Sequence, residues 1–374
     1  MNRRPSQSRT GFDSFSPQHT AHFKAAQPGG EFFEPKPRAS LGRRLLLALL
    51  LMTLIALAVN LAVNQFVRVA RVTVPIRRMD PAFEGYTLLQ ISDLKGATYG
   101  SNQALIRFAL QNEDFDAVVF TGDMVSSRGN AQPLYALIEM LRELKPDAPI
   151  YMIPGDKDPL PASMSYATGG SPFAPWVLGA KQRGGQLLSA PVQIERDGHT
   201  LWLTTSALLS LDMDTMQAQF ERQYLDALAN GDENAIELTT YNLQWLTETR
   251  NARAKMTDVD VYIALTHVPP ADEELESAYP GSLRERVHLV LCGHYQGGLI
   301  RLPFAGALFI PSQNLPLYGL LPGADTYFGL TRKGRTYLYV SPGLGGNDGL
   351  YPLPFFRLFN PPTVSLISLT TSSL

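Results

Sequence analysis

Five short stretches of this 374-residue chain carry side chains that can hold a metal ion or a phosphate: "DLK" (93–95), "GD" (122–123), "GDKD" (155–158), "THVPP" (266–270) and "GHYQGG" (293–298). Carboxylates and imidazoles donate lone pairs to divalent cations, whereas an ammonium pairs with anions as a point charge. The glycines before Asp123, Asp156 and His294 let the chain turn sharply and bring backbone close to a ligand. One Gly-Asp is an ordinary turn, and one histidine is more often structural than functional. Five such turns in order, each after an apolar run, read as one site.

The elements that must position these turns alternate. "YTLLQIS" (86–92), "DAVVFTGD" (116–123), "APIYMIPGDKD" (148–158), "DVYIALTHVPP" (260–270) and "HLVLCGHYQGG" (288–298) read as buried strands running into turns. "NQALIRFALQN" (102–112) and "QPLYALIEMLREL" (132–144) have helical spacing. Strands alternating with helices imply an α/β fold with a buried sheet, and ligands bind at the carboxyl ends of its strands. Residues 159–185, rich in Gly, Pro and Ser, read as a loop over the site. Residues 190–207 form a hairpin turning at Asp197-Gly198, and 212–256 form one helical stretch. Residues 327–346 form a second hairpin with Lys333-Gly334 at its tip, and 363–370 a last strand.

In these motifs the chain resembles the calcineurin-like metallophosphoesterases, over roughly residues 84–370. The family pattern is Asp-x-His, Gly-Asp, Gly-Asn-His-Asp/Glu, His, and Gly-His-x-His. "YVSPGLGG", Arg357 and "NPP" extend the likeness to a membrane-anchored branch, some of whose members act on lipid-linked pyrophosphates or phosphodiesters. The resemblance implies a two-sheet sandwich flanked by helices. It also implies one metal position at Asp93, Lys95, Asp123 and Gln296, and a second at Asp123, Asp156, His267 and His294. Lys95 and Gln296 stand where the first position has histidines, so that position reads as lost. An ammonium has no lone pair to give, and an amide oxygen is a poor substitute for imidazole. The second set is intact, with Asp156 in place of Asn, and implies one divalent ion (Mn, Fe or Zn). Lys157 stands where the family has its substrate-contacting histidine. Lys95 would neutralise Asp93 and Asp123, since buried carboxylates need a counter-charge. Lys157, Lys95 and Asp93 are therefore the candidate catalytic residues. Two function classes fit: a metal-dependent phosphoric ester hydrolase with one metal and weakened activity, or a catalytically silent module that binds phosphate or protein.

Residues 44–66 are expected to form a transmembrane helix, because 45–63 is a run with no charge and a single strongly polar residue, Asn60. Residues 1–43 read as a disordered basic tail, 67–83 as a linker and 84–374 as the phosphoesterase-like domain. The first 44 residues hold eight Lys/Arg against three acids; with a net charge of −2 overall, the remainder is acidic. The positive-inside rule then puts the tail in the cytoplasm and the domain outside, on a single-pass signal anchor in the cell membrane. An acidic domain argues against nucleic acid as a partner. A phosphate-containing small molecule or lipid is the expected substrate. The lone cysteine, Cys292, excludes an internal disulfide and reads as a buried small residue. His19, His22, His199 and His288 are set aside as incidental or structural. Tyr295 and residues 166–176 either line the cleft or pack on the surface, and Arg357 either faces the site or anchors the final turn.

Overall fold

The structure is a computed structural model that describes residues 40–64, 66–163, 171–276, 283–298, 300–302, 306–310, 320–323, 327–345 and 357–371. The tail before residue 40, part of the 166–176 loop and part of "YVSPGLGG" lie outside the described residues. The chain divides into two units, Met1–Thr53 and Leu54–Leu374.

The second unit is built on strands β1 (Arg68–Pro75), β2 (Thr87–Ile91), β3 (Ala117–Thr121), β4 (Ile150–Ile153), β5 (Gly185–Leu187), β6 (Val192–Arg196), β7 (His199–Thr205), β8 (Val261–Leu265), β9 (Leu289–Cys292), β10 (Ile300–Leu302), β11 (Gly306–Phe309), β12 (Gly329–Lys333), β13 (Thr336–Val340) and β14 (Thr363–Thr370). One sheet runs β1-β14-β2-β3-β4-β5 and the other β12-β13-β9-β8-β7-β6, while β10 and β11 pair separately. Strands β2 to β5 are parallel, as are β7, β8, β9 and β13.

Alternation along each strand explains the layers. Leu88, Ala117, Val119, Tyr151, Leu201, Leu203, Ile263, Leu289 and Leu291 point between the sheets into one core cluster. Their neighbours Leu89, Ile91, Val118, Phe120, Ile150 and Met152 point to the other side. Successive strand residues face opposite ways, so a sheet covered on both faces needs the near-continuous apolar runs seen here. The outer cover is helical: α2 (Ala104–Leu110), α3 (Gln132–Leu144) and α4 (Pro175–Gln182) follow α1 (Leu41–Val63) in the chain. In α3, Leu134, Leu137, Ile138 and Leu141 form the buried stripe that helical spacing predicts. The molecule is thus the α/β two-sheet sandwich expected.

The segment 67–83 is not a bare linker, because it contains β1, in parallel register with β14 along its whole length. Arg68 and Arg71 sit at its exposed positions, so its apolar signal is diluted on an edge strand. The region 159–185 contains α4, and Trp176, Val177 and Ala180 of that helix are buried in the core. The stretch 212–256 is two helices, α6 (Met213–Asn230) and α7 (Glu233–Lys255), after a short α5 (Ser206–Leu209). Gly231 ends α6 in the left-handed region at φ 63°, and the Asp232 carboxylate caps α7 by accepting from Ala235 N at 3.1 Å. The first hairpin turns at Asp197-Gly198 as the sequence places it, while the second turns one residue later than expected, at Gly334-Arg335, because Lys333 still pairs with Thr336.

Among the described residues, α1 is the one helix long and apolar enough to cross a membrane. At 1.5 Å per residue it spans about 35 Å. Of its residues only Asn60 is buried.

Candidate metal and phosphate site

All five motif turns lie at the carboxyl ends of parallel strands. Asp93 follows β2, Asp123 follows β3 and Asp156 follows β4, in one sheet. His267 follows β8 and His294 follows β9, in the other. Non-glycine residues at these turns adopt left-handed backbone: Asp93 at φ 56°, Lys95 at 50°, Asp123 at 55°, His294 at 70° and Gln296 at 52°. Such conformations cost roughly 1–3 kcal/mol each and persist only where the surroundings hold them. Gly155 is required for a different reason. A Cβ there would lie 2.1 Å from Asp123 Oδ1.

The side chains converge. His267 Nε2 is 3.0 Å from Asp156 Oδ1 and 3.3 Å from Asp123 Oδ1. His294 Nδ1 is 3.3 Å from Asp156 Oδ1 and 3.4 Å from His267 Nε2. His267 Nδ1 lies 2.8 Å from the Thr121 carbonyl. A carbonyl only accepts, so Nδ1 donates, and Nε2 is the nitrogen presented to the acids. Burial pushes the His267 imidazole down, but the Asp123 and Asp156 carboxylates outweigh it and carry the ring up to about 11. The hydrogen bond from His267 holds Asp156 far below the usual carboxylate range, against burial and with help from Lys157. Asp123 feels burial first, yet His267, Lys95 and the Lys157 N–H together keep it below its ordinary value.

The lysines occupy two different places. Lys95 Nζ is buried, 3.3 Å from Asp123 Oδ2 and 3.9 Å from Asp93 Oδ1. Lys157 is half-exposed; its ammonium donates to Asp156 Oδ2 at 2.8 Å, and its backbone N–H donates to Asp123 Oδ1 at 2.9 Å. Asp93 Oδ2 accepts from Ser92 Oγ at 2.7 Å and from His294 N at 3.1 Å. Gln296 is buried beside them, its carbonyl accepting from Arg357 and Asn360.

A family model described as calcineurin-like phosphoesterase matches residues 86–296, more than half of the chain. The chain belongs to the calcineurin-like phosphoesterase family. The metallophosphoesterase YkuE of Bacillus subtilis (strain 168) is 26% identical over 266 residues, 70% of this chain and 73% of its own length. Among solved structures, the phosphopantetheinyl hydrolase PptH of Mycobacterium tuberculosis matches 74% of this chain and 96% of its own, with 11% identity and a TM-score of 0.36. TT1561 of Thermus thermophilus matches 70% and 90%, with 12% identity and a TM-score of 0.34.

Within this member of the family, two overlapping groups have donor atoms within 4.8 Å of one another: Asp156, His267 and His294, and Asp93, Asp123 and His267. The first group, with Asp123 alongside, suits a borderline divalent cation by its chemistry of two imidazoles and carboxylate oxygens. His267 has the support such a ligand needs, since its other nitrogen is fixed on the Thr121 carbonyl. The second group fits a metal poorly, because the Lys95 ammonium stands against both of its carboxylates.

Several supporting groups escape sequence reasoning. Asp158 accepts from Val125 N at 2.7 Å and Gly155 N at 2.8 Å, pinning the glycine turn that carries Asp156. Burial pushes this carboxyl up to about 6 against those two N–H groups. Its place in "GDKD" was visible, but its inward orientation was not. Ser92 orients Asp93 and left no signal beyond adjacency. Arg357 anchors the final turn and does not face the site: its guanidinium donates to four backbone carbonyls and is fully buried.

Proposed function

We propose that this chain is a membrane-anchored phosphoester hydrolase that works with a single divalent cation (Mn, Fe or Zn) held by Asp123, Asp156, His267 and His294. The observation that carries the reading is the meeting of Asp156, His267 and His294 donor atoms within 4.8 Å, next to a lysine paired with the remaining acids. A divalent cation supplies Lewis acidity toward water and a phosphoryl oxygen. The chain does the rest. Lys95 offsets the charge of Asp93 and Asp123 and adds positive potential where a phosphate would sit. Lys157, at the exposed rim, pairs with phosphate as a point charge. It gives up its proton less readily than an imidazolium does, so departure of the leaving group is weakly assisted and activity is reduced.

Substrates are phosphomonoesters, phosphodiesters or pyrophosphates. The apolar α1 makes lipid-linked ones accessible, with the N-terminal tail cytoplasmic and the domain outside the cell membrane. The buried Lys95 ion pairs favour one competing reading, a phosphate-binding module without catalysis.

Elemental analysis of the purified full-length chain tests the proposal. One equivalent of metal, lost in His267→Ala and in His294→Ala, together with turnover of an aryl phosphodiester, supports the hydrolase. One equivalent without turnover supports the silent module. Absence of bound metal after incubation with Mn, Fe and Zn refutes the four-residue site.

A further inference from the structure

We infer that Asn60, Asn64 and Arg357 are positioning residues that make the last turn of α1 part of the support of the catalytic loops. The inference rests on the reading of the site given above.

Asn60 lies in the last turn of α1, and Asn64, the residue just past its end, continues the same face four residues on, its N–H donating to the Asn60 carbonyl at 3.0 Å. The Asn60 amide uses both of its ends. Its Nδ2 donates to the Arg357 carbonyl at 2.7 Å, and its Oδ1 accepts from Phe359 N at 2.8 Å. Asn64 Nδ2 donates to the same Arg357 carbonyl at 2.6 Å. A carbonyl has two lone pairs, and here both are taken by the helix. An asparagine in a run of apolar residues is otherwise out of place, and Asn60 is the one buried residue of α1.

The other end of Arg357 reaches the backbone of the turns behind the site. Its Nη2 donates to Gln296 O at 2.9 Å and Pro342 O at 2.8 Å, its Nη1 to Gly345 O at 2.6 Å, and its Nε to Asn360 O at 2.7 Å. Gln296 is two residues from His294 and holds left-handed backbone at φ 52°. Gly345 N donates to the Asp93 carbonyl at 2.6 Å, and Leu344 N to the Ser92 carbonyl at 3.0 Å. The buried guanidinium therefore holds the His294 loop directly at Gln296 and the Asp93 loop through Gly345, while the backbone carbonyl of Arg357 is held by Asn60 and Asn64. Hydrogen bonding of backbone by a rigid fork is directional, so a shift of the helix end is transmitted to Gln296 and Gly345. The helix end braces the catalytic loops besides tethering the domain.

The test uses the full chain in detergent micelles or nanodiscs and compares Asn60→Leu/Asn64→Leu with wild type. Thr53→Val is the control, since its hydroxyl only donates to Leu49 O one turn back. Amide hydrogen exchange should rise at residues 92–95 and 293–298, and not in β3 or β8, while the control leaves it unchanged. Loss of outer supports commonly weakens metal binding about 10–100-fold, so the Mn²⁺ dissociation constant should rise at least about tenfold. Arg357→Lys, which keeps charge but loses the fork, should give the same regional pattern. Should the double variant not fold, Asn64→Ala, which leaves the Asn60 grip intact, should show the pattern more weakly. Unchanged exchange at 92–95 and 293–298, or an even rise over the whole domain, overturns the inference. If wild type binds no Mn²⁺, the metal reading fails, and the exchange pattern still decides the positioning role.

Discussion

Lys95 carries the sharpest prediction. Replacing it with methionine keeps length and packing but leaves Asp93 and Asp123, both essentially inaccessible, without their shared cation. With an effective dielectric constant of about 20, attraction across the 3.3 Å and 3.9 Å contacts is about 5 and about 4 kcal/mol. Freeing the lysine from its own desolvation, and the help Asp123 takes from His267, offset part of that. Breaking a buried pair by removing one partner typically costs about 3–5 kcal/mol, and the lower end applies here. Lys95→Met should thus be destabilised by about 3 kcal/mol in urea unfolding near neutral pH. A divalent cation should then stabilise the variant more than wild type, because the two acids acquire a counter-charge. A cation at a hundred times its dissociation constant stabilises the folded form by about 2.7 kcal/mol. A loss below about 1 kcal/mol, or equal metal stabilisation of both proteins, would show that Lys95 does not occupy the place of a cation.

Other outcomes follow from the same geometry. His267 must surrender a proton before it can ligate, so Mn²⁺ affinity should climb about tenfold per pH unit between about 6 and 9; calorimetry showing a flat profile refutes its role as a ligand. In the metal-free protein the sign is opposite. The raised imidazole lends full stability below the ordinary histidine range, and that contribution fades as pH rises toward 11, which alkaline unfolding curves measure. Gly155→Ala forces a Cβ against Asp123 and should cost about 3 kcal/mol and abolish metal binding; wild-type values for either would contradict the packing. Restoring the family residues together (Lys95→His, Gln296→His, Lys157→His and Asp156→Asn) should raise aryl phosphodiester hydrolysis. Unchanged rates would mean that the two metal positions are wrongly assigned.

The strand-and-turn order of the site was legible because each ligand-bearing turn ends a short apolar run, and parallel strands gather such ends on one side. The elements missed were those with mixed signals. β1 mixes two arginines and a threonine with its valines and reads as a linker until β14, almost 300 residues later, pairs with it. α4 sits behind a Pro- and Gly-rich approach that reads as loop. Arg357 was legible as a residue of interest, yet its partners are carbonyls from distant turns, and no spacing in sequence reveals them. The same holds for Asn60, whose meaning depends on a contact 297 residues away.

The division of labour between the two sheets has a mechanical consequence. Every acid of the site hangs from one sheet and both imidazoles from the other, so whatever they grip together is a rivet through the sandwich. The layers cannot slide or part at that edge without shearing it. Protease resistance and the force needed to peel the layers apart should therefore track occupancy of the site, and a loaded molecule should open last where it is chemically busiest.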